Sequence, residues 1–356
     1  MSKPGRETAK PQTGRQPLYE PLDWAIVRAP LLPAEAYLAV SCTAPSGGAE
    51  KGGRSASEAR LPADPAVRAA LAVGSGNLYE ALTRNGASGK DDPESAGKLL
   101  RYLIRMSTRP TQYGLFAGVA LARWGAETDL ALAPGSPRTR TRPDMAWLLR
   151  LVMDAEKRPE VRRQLRYSAN HRAFIHAGRV FLPEPAPTGD SGGQVQAVSV
   201  RASGPVRRAL EIARSWAPHA RLAAELASFP GATPEKAEKL IDDLWRQTFL
   251  LTDLRPPLTE SSPAVYVARR LQGIPEAADL RDRLQTVLSK AAEWDNLPVE
   301  ESAGAFRALA AQHGPSGDGG PKPYPQVDMA LPLEITAPAI EPPTDEPQPE
   351  SKRVRA

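Results

Sequence analysis

Arginine carries most of the chemistry this chain can offer. Arg101, Arg105 and Arg109 stand four apart in RYLIRMSTRPTQYGLFAGVA, and Thr111 follows two residues later. Arg123, Arg138, Arg140 and Arg142 come next, and Arg28 lies upstream. A planar guanidinium fork suits phosphate and carboxylate recognition. On spacing alone the cluster also reads as a solvated helix face with scattered surface charge, and that simpler reading is the one to beat. Other chemistry is poorly supported. A single cysteine, Cys42, excludes an internal disulfide and a cysteine metal cluster. His171, His176, His219 and His313 show no metal-ligand spacing. P-loop, GxGxxG, HExxH and GxSxG patterns are absent, so no ordinary hydrolase or dehydrogenase site announces itself.

The elements that must position these arginines can be read from periodicity. Asp92 is a helix N-cap, with Pro93 at the first position and Glu94 in the first turn. Leu99, Tyr102, Leu103 and Met106 then fall on one apolar face. Arg101 and Arg105 lie one turn apart on another face, and Pro110 predicts that the helix frays at Arg109. The segment is thus a basic helix end, a proline-fixed turn and an apolar glycine-bounded run, feeding VALARWG as a strand. A strand is also expected in AIVRAPLL, helix from Leu71 to Thr83, and a helix opened by Pro143 and Asp144.

A compact unit follows. FIHAGRVFLPEP and QVQAVSVRA alternate like the strands of a β-hairpin. Helices are expected over Pro205–Trp216, over Ala220–Ala227 and from Thr233-Pro234-Glu235 onward, and FLLTDLR closes the unit as a strand. That is winged-helix order. Duplex DNA reading is disfavoured, because PEKAEKLIDDLWRQ carries Glu235, Glu238, Asp242 and Asp243, which repel phosphate. A peptide laid on a sheet edge or groove suits the unit better. Val265–Leu271 and Leu280–Trp294 read as helices, GPSGDGGPKPYP as a linker and QVDMALPLE as a strand.

The whole is 356 residues, 41% hydrophobic and 24% charged, with a net charge of +5. Those values suit one large or two ordinary globular domains with a mild preference for phosphate-rich partners. No apolar run approaches the roughly 20 residues of a membrane span, and the N-terminus lacks a signal-peptide core. A cytoplasmic protein is the expectation. Residues 1–20 read as a flexible arm and 336–356 as a disordered tail rich in proline and acid.

RMSTRPTQYGLFAGVALARWG resembles the signature segment of the lantibiotic dehydratases, the LanB family, in which a Thr-Pro-Phe-Gly-(Leu/Thr)-Phe-Ala-Gly core follows an arginine pair. AIVRAPLLPAEAYLAV, TRTRPDMAWLLRLV, AGRVFLPEP, VSVRASGPVRRALEIAR, DDLWRQTFLLTDLRPPL and PYPQVDMALPLE resemble further family segments in the same order, from about Trp24 to Glu334. The resemblance implies an α+β fold over 21–335, with a winged-helix (PqqD-like) leader-peptide recognition unit at about 170–255. It implies glutamate transfer from glutamyl-tRNA, a co-substrate, onto serine or threonine of a ribosomally made precursor peptide, with no bound cofactor or metal. Residue by residue, Arg28, Arg105, Arg109 and Thr111 match family positions needed for glutamylation, and Asp328 matches an aspartate in a similar strand. TQYG departs from the family's Thr-Pro-Phe-Gly: Gln112 gives up proline's fixed φ, while Tyr113 keeps the aromatic. Because the pattern stops after Glu334, the remaining glutamylation and elimination segments are expected from a separate completing chain. The alternative is a catalytically incomplete leader-binding module or remnant.

Overall fold

The computed structural model describes residues 22–36, 62–88, 92–125, 129–132, 137–184, 197–314 and 324–338. Cys42, the 1–20 arm, most of the glycine-rich linker and the tail beyond Pro338 lie outside these residues. The fold is mixed α+β with several sheets. Among the described residues no helix is long and apolar enough to cross a membrane.

The first sheet is built on β1 (Trp24–Pro30) and β2 (Ala117–Gly125), antiparallel over their length. On the other side of β2 runs β11 (Gln326–Ala330), continued after Leu331-Pro332 by β12 (Leu333–Pro338), both parallel to β2. β4 (Arg138–Arg142) pairs antiparallel with β11, and β3 (Asp129–Leu132) with β12. QVDMALPLE is therefore two strands rather than one. Pro332 has no N–H to donate, which explains the interruption. β12 runs on to Pro338, past the expected start of the tail.

Helices α1 (Pro65–Gly74), α2 (Gly76–Ser88) and α3 (Pro93–Thr108) precede β2. The expected continuous helix from Leu71 to Thr83 is instead broken at Ser75, whose φ of −158° and ψ of 80° leave helical geometry. α4 (Met145–Glu156) starts from Asp144, whose carboxylate accepts from the Trp147 amide at 2.8 Å, and α5 (Pro159–Arg162) follows. Later come α9 (Pro263–Leu271), α10 (Ala278–Asp295) and α11 (Val299–Ala311). Leu71, Leu82, Phe116, Leu148, Leu284 and Phe306 are buried together in the main core.

A second core is formed by Tyr167, Leu182, Leu222, Ile241, Leu244 and Phe249. It lies among β5 (Arg166–Ala169), β6 (Phe174–His176), β7 (Arg179–Leu182), β8 (Val198–Arg201), α6 (Gly204–Ile212), β9 (Ala217–Pro218), α7 (His219–Ala227), α8 (Pro234–Arg246) and β10 (Leu250–Thr252). The hairpin lies within FIHAGRVFL: β6 and β7 turn at Ala177 and Gly178, both at positive φ (43° and 73°), as tight hairpins require. The second expected strand, β8, adds to β7 as a third strand. β5 and β9 form another sheet with β10 and had no clear sequence signal. β10 is also shorter than FLLTDLR, ending at Thr252, where Asp253 turns to accept from the Arg166 amide at 3.0 Å.

Candidate functional site

The signature segment forms a helix end docked to a turn. Asp92 caps α3: its carboxylate accepts from the Glu94 and Ser95 amides, both at 3.2 Å, and from the Ser95 hydroxyl at 2.6 Å. The Ser95 hydroxyl, then the amides, lowers the Asp92 pKa below the usual carboxylate range. Leu99 and Met106 are buried, while Tyr102 and Leu103 pack against the core. At the other end Arg109 is the C-cap, with φ −118° and ψ 112°, the extended geometry demanded ahead of Pro110.

Beyond it, Gly114 adopts φ +54°, and a Cβ there would lie 2.7 Å from Val73 Cγ1. Only glycine meets both demands without strain. Phe116 is fully buried, at 5.2 Å from the Tyr102 ring and 5.3 Å from the Tyr113 ring. Gly118 on the strand shares only the close approach, since a Cβ would meet Leu331 at 2.6 Å. The glycine-bounded run is thus an anchor for the basic turn.

Tyr113 does more than keep the aromatic. Its hydroxyl donates to the Gly74 carbonyl at 3.0 Å, and the Arg105 guanidinium sits 4.4 Å from its ring centroid. Arg105 Nε is buried and has no hydrogen-bond partner among the described residues. Arg105 and Arg109 open with Lys98 and Arg101 onto a groove of about 700 Å³ between α2 and α3, bordered also by Asn77 and Ser95. Lys98 is bridged to Glu94 at 2.7 Å. Among the described residues no aspartate or glutamate lines the groove. Thr111 is exposed in the turn just beyond Arg109.

Arg28 and Asp328 belong to a second surface. Register places Arg28, Val119, Ala330 and Arg138 in one cross-sheet row, and Asp328 on the next row, opposite Arg140. Two strand spacings and one side-chain repeat set Arg28 and Asp328 roughly 12 Å apart at Cα. Arg140 donates to the Ser261 carbonyl at 2.6 Å, and Asp328 is ion-paired with Arg142. Trp24, Ile26 and Leu121 are exposed on the same face, at 45, 58 and 67%. The structure therefore gathers Arg105 and Arg109 in the groove and Arg28 and Asp328 on the open sheet face; neither of the latter lines the groove. The sequence reading passed over β4 as scattered charge. Its signal was the Arg-Thr-Arg-Thr-Arg alternation, period two with β-branched spacers. Thr139 and Thr141 point the other way, where both hydroxyls donate to Asp295 at 2.7 Å.

A family model described as lantibiotic dehydratase, N terminus, matches residues 63–340. The subtilin biosynthesis protein SpaB of Bacillus subtilis is 26% identical over 210 residues, covering 57% of this chain and 20% of SpaB. The epidermin biosynthesis protein EpiB of Staphylococcus epidermidis is 36% identical over 85 residues, covering 21% of this chain and 8% of EpiB. Among solved structures, the tRNA dependent lantibiotic dehydratase MibB from Microbispora sp. 107891 superposes with a TM-score of 0.69 at 26% identity, covering 89% of this chain and 29% of MibB. The glutamylation domain TbtB from thiomuracin biosynthesis shares the fold, with a TM-score of 0.56 at 20% identity over 78% of this chain and 34% of TbtB. The chain thus spans about a third or less of the length of each of these proteins. With a family model matched over most of its length, the chain belongs to the lantibiotic dehydratase family, in that family's N-terminal part.

Proposed function

We propose that this chain serves glutamate transfer from glutamyl-tRNA to serine or threonine side chains of a ribosomally made precursor peptide. The observation that carries this reading is the groove holding Arg105 and Arg109 at the signature turn, lined by no carboxylate among the described residues, in a family whose solved member MibB is described as tRNA dependent. In the reaction the peptide hydroxyl oxygen attacks the glutamyl ester carbonyl. The ester bond to the ribose breaks, and the hydroxyl proton ends on the departing ribose oxygen. Arg105 and Arg109 offset negative charge on the donor and on the oxyanion as it develops. Thr111 donates a hydrogen bond that fixes this geometry. Arg28 and Asp328 act from the open sheet face, with Asp328 oriented by Arg142.

The unit of about 170–255 is read as a winged helix that captures the leader region of the precursor. Strand β6 is an edge of its sheet, and Phe174 and Ile175 are exposed at 51 and 49%. An extended peptide added there gains backbone hydrogen bonds and two apolar contacts. The same edge favours a second reading, a leader-binding module that works with a separate dehydratase chain performing elimination.

One assay separates the two. Purified chain is mixed with precursor peptide and tRNA charged with radiolabelled glutamate, and label in the peptide is counted for wild type and Arg109→Ala. Label transfer that falls at least a hundredfold in the variant, with an unchanged melting temperature, supports the transferase. Leader binding without transfer leaves the binding module.

A further inference from the structure

We propose that the free edge of β1 holds the acceptor peptide as an added antiparallel strand, with the serine or threonine to be modified opposite Arg28. The inference rests on the glutamate-transfer reading above and names how the second substrate of that reaction is held.

Backbone direction carries it. The Leu31 amide donates to the Phe116 carbonyl at 2.9 Å, and the Trp124 amide to the Asp23 carbonyl at 3.5 Å. Bonded pairs alternate along an antiparallel ladder. Ala25, Val27 and Ala29 therefore turn their backbone groups to β2, while Trp24, Ile26 and Arg28 turn theirs the other way. Among the described residues β1 pairs with β2 alone, so its far side is an open edge. Edge strands are ordinarily blunted by lysine, interior proline or a bulge. Residues 24–29 have none of these, and their register with β2 is unbroken. The open ladder is also bounded. Pro30 has no N–H to donate, and the Leu22 carbonyl is taken by the Trp124 indole at 2.7 Å.

The side chains along that edge select the occupant. Trp24 and Ile26 are exposed beside Leu121, and Arg28 follows them on the same open face. An extended segment laid there meets two apolar positions and then a guanidinium, one at every second residue. A serine or threonine opposite Arg28 has its Cβ about 5 Å from that of Arg28, on the face that also carries Asp328 and Arg138. Apolar residues two and four positions further along the peptide then pack on Ile26 and Trp24. Past Arg28 the edge leads to the signature helix, because the Leu32 amide donates to the Met106 carbonyl at 2.9 Å. Arg109 lies three residues beyond Met106. That continuity favours a substrate over a second copy of the chain.

The test titrates the full chain into a fluorescent peptide, Gly-Thr-Ala-Leu-Ala-Leu-Gly, whose threonine and two leucines fall opposite Arg28, Ile26 and Trp24. N-methylation of the first leucine blocks the amide that faces Ile26 and should weaken binding about tenfold. N-methylation of the alanine before it, whose amide faces away from β1, should change binding by less than about twofold. Ile26→Pro removes an N–H that β2 does not use, and should weaken the unmodified peptide and erase the difference between the two methylated ones. If that variant fails to fold, the methylated peptides on wild type decide alone. Equal effects of the two methyl groups overturn the proposal, as does no binding of the unmodified peptide. A dimer in light scattering that Ile26→Pro converts to monomer also overturns it, and gives the edge to a second copy. Glutamate transfer to the precursor peptide is followed in parallel. Transfer without a methyl preference rejects the edge and leaves the transferase reading intact; a methyl preference without transfer rejects that reading and keeps the edge as a peptide site.

Discussion

Tyr113 shows how one side chain ties a reactive group to the scaffold. It binds the end of α1 through the Gly74 carbonyl, packs on Phe116 and supports the Arg105 guanidinium. Tyr113→Phe removes only the hydroxyl bond and should cost about 1 kcal/mol of stability. Tyr113→Leu also loses the stacked cation, worth about 0.5–1 kcal/mol at an exposed site. Glutamate transfer should survive Phe and fall with Leu; equal transfer in both variants would show that Arg105 needs no support from the ring. Gly114→Ala acts differently, since it forces a Cβ into the left-handed region and against Val73. It should cost about 2 kcal/mol, read as a lowered urea midpoint. The aromatic at 113 was legible in the sequence. Its bonds were not, because Gly74 lies 39 residues away and meets it only on folding.

Among the elements, the decisive contacts join the two cores at the end of α4. Glu156 is fully buried and accepts from Arg255 Nη2 at 2.9 Å, from Arg255 Nε at 3.1 Å and from the Thr252 hydroxyl. Its carbonyl accepts from Arg162 at 2.6 Å. Arg162 also donates to Asp242 on α8 at 2.7 Å and lies 4.3 Å from the Trp245 ring centroid. Removing one member of a buried pair strands the other charge, so Glu156→Ala should cost about 3–5 kcal/mol. Urea unfolding followed by tryptophan fluorescence checks this, and a loss below about 1 kcal/mol would mean that Arg255 finds solvent instead. Helices with written caps, α3, α4 and α8, were legible. α11 was missed, because its buried face rests on Ala303, Phe306, Leu309 and Ala310 within an alanine-rich run that marks no boundary.

Across the whole molecule, each core buries one histidine. His219 lies in the second core, where burial pushes its pKa down despite Glu238 at 3.5 Å. His313 packs 4.9 Å from the Trp147 ring in the main core, and burial lowers it too. Both folded pKa values lie below the ordinary histidine value near 6.5. Between the two values the unfolded chain binds protons that the folded one does not. The stability these neutral rings contribute is present above about pH 6.5 and is lost as pH falls below it. The urea midpoint should drop between pH 7 and pH 5, less steeply in His313→Leu than in wild type. A midpoint flat over that range would show that neither ring is held neutral.

Local physics is written in the sequence, and it determined the capped basic helix, the glycine-bounded anchor, the β6 hairpin segment and the family resemblance. Each depends on residues a few positions apart, where caps, turn geometry and periodicity act directly. Tertiary structure alone decided which arginines share a surface. Arg105 and Arg109 meet Asn77 of α2 across a groove, while Arg28 and Asp328 come together because β1 and β11 both pair with β2. Strand order and register depend on burying one sheet face and satisfying backbone groups between segments 300 residues apart in sequence. That is a property of the closed fold, and no local pattern encodes it.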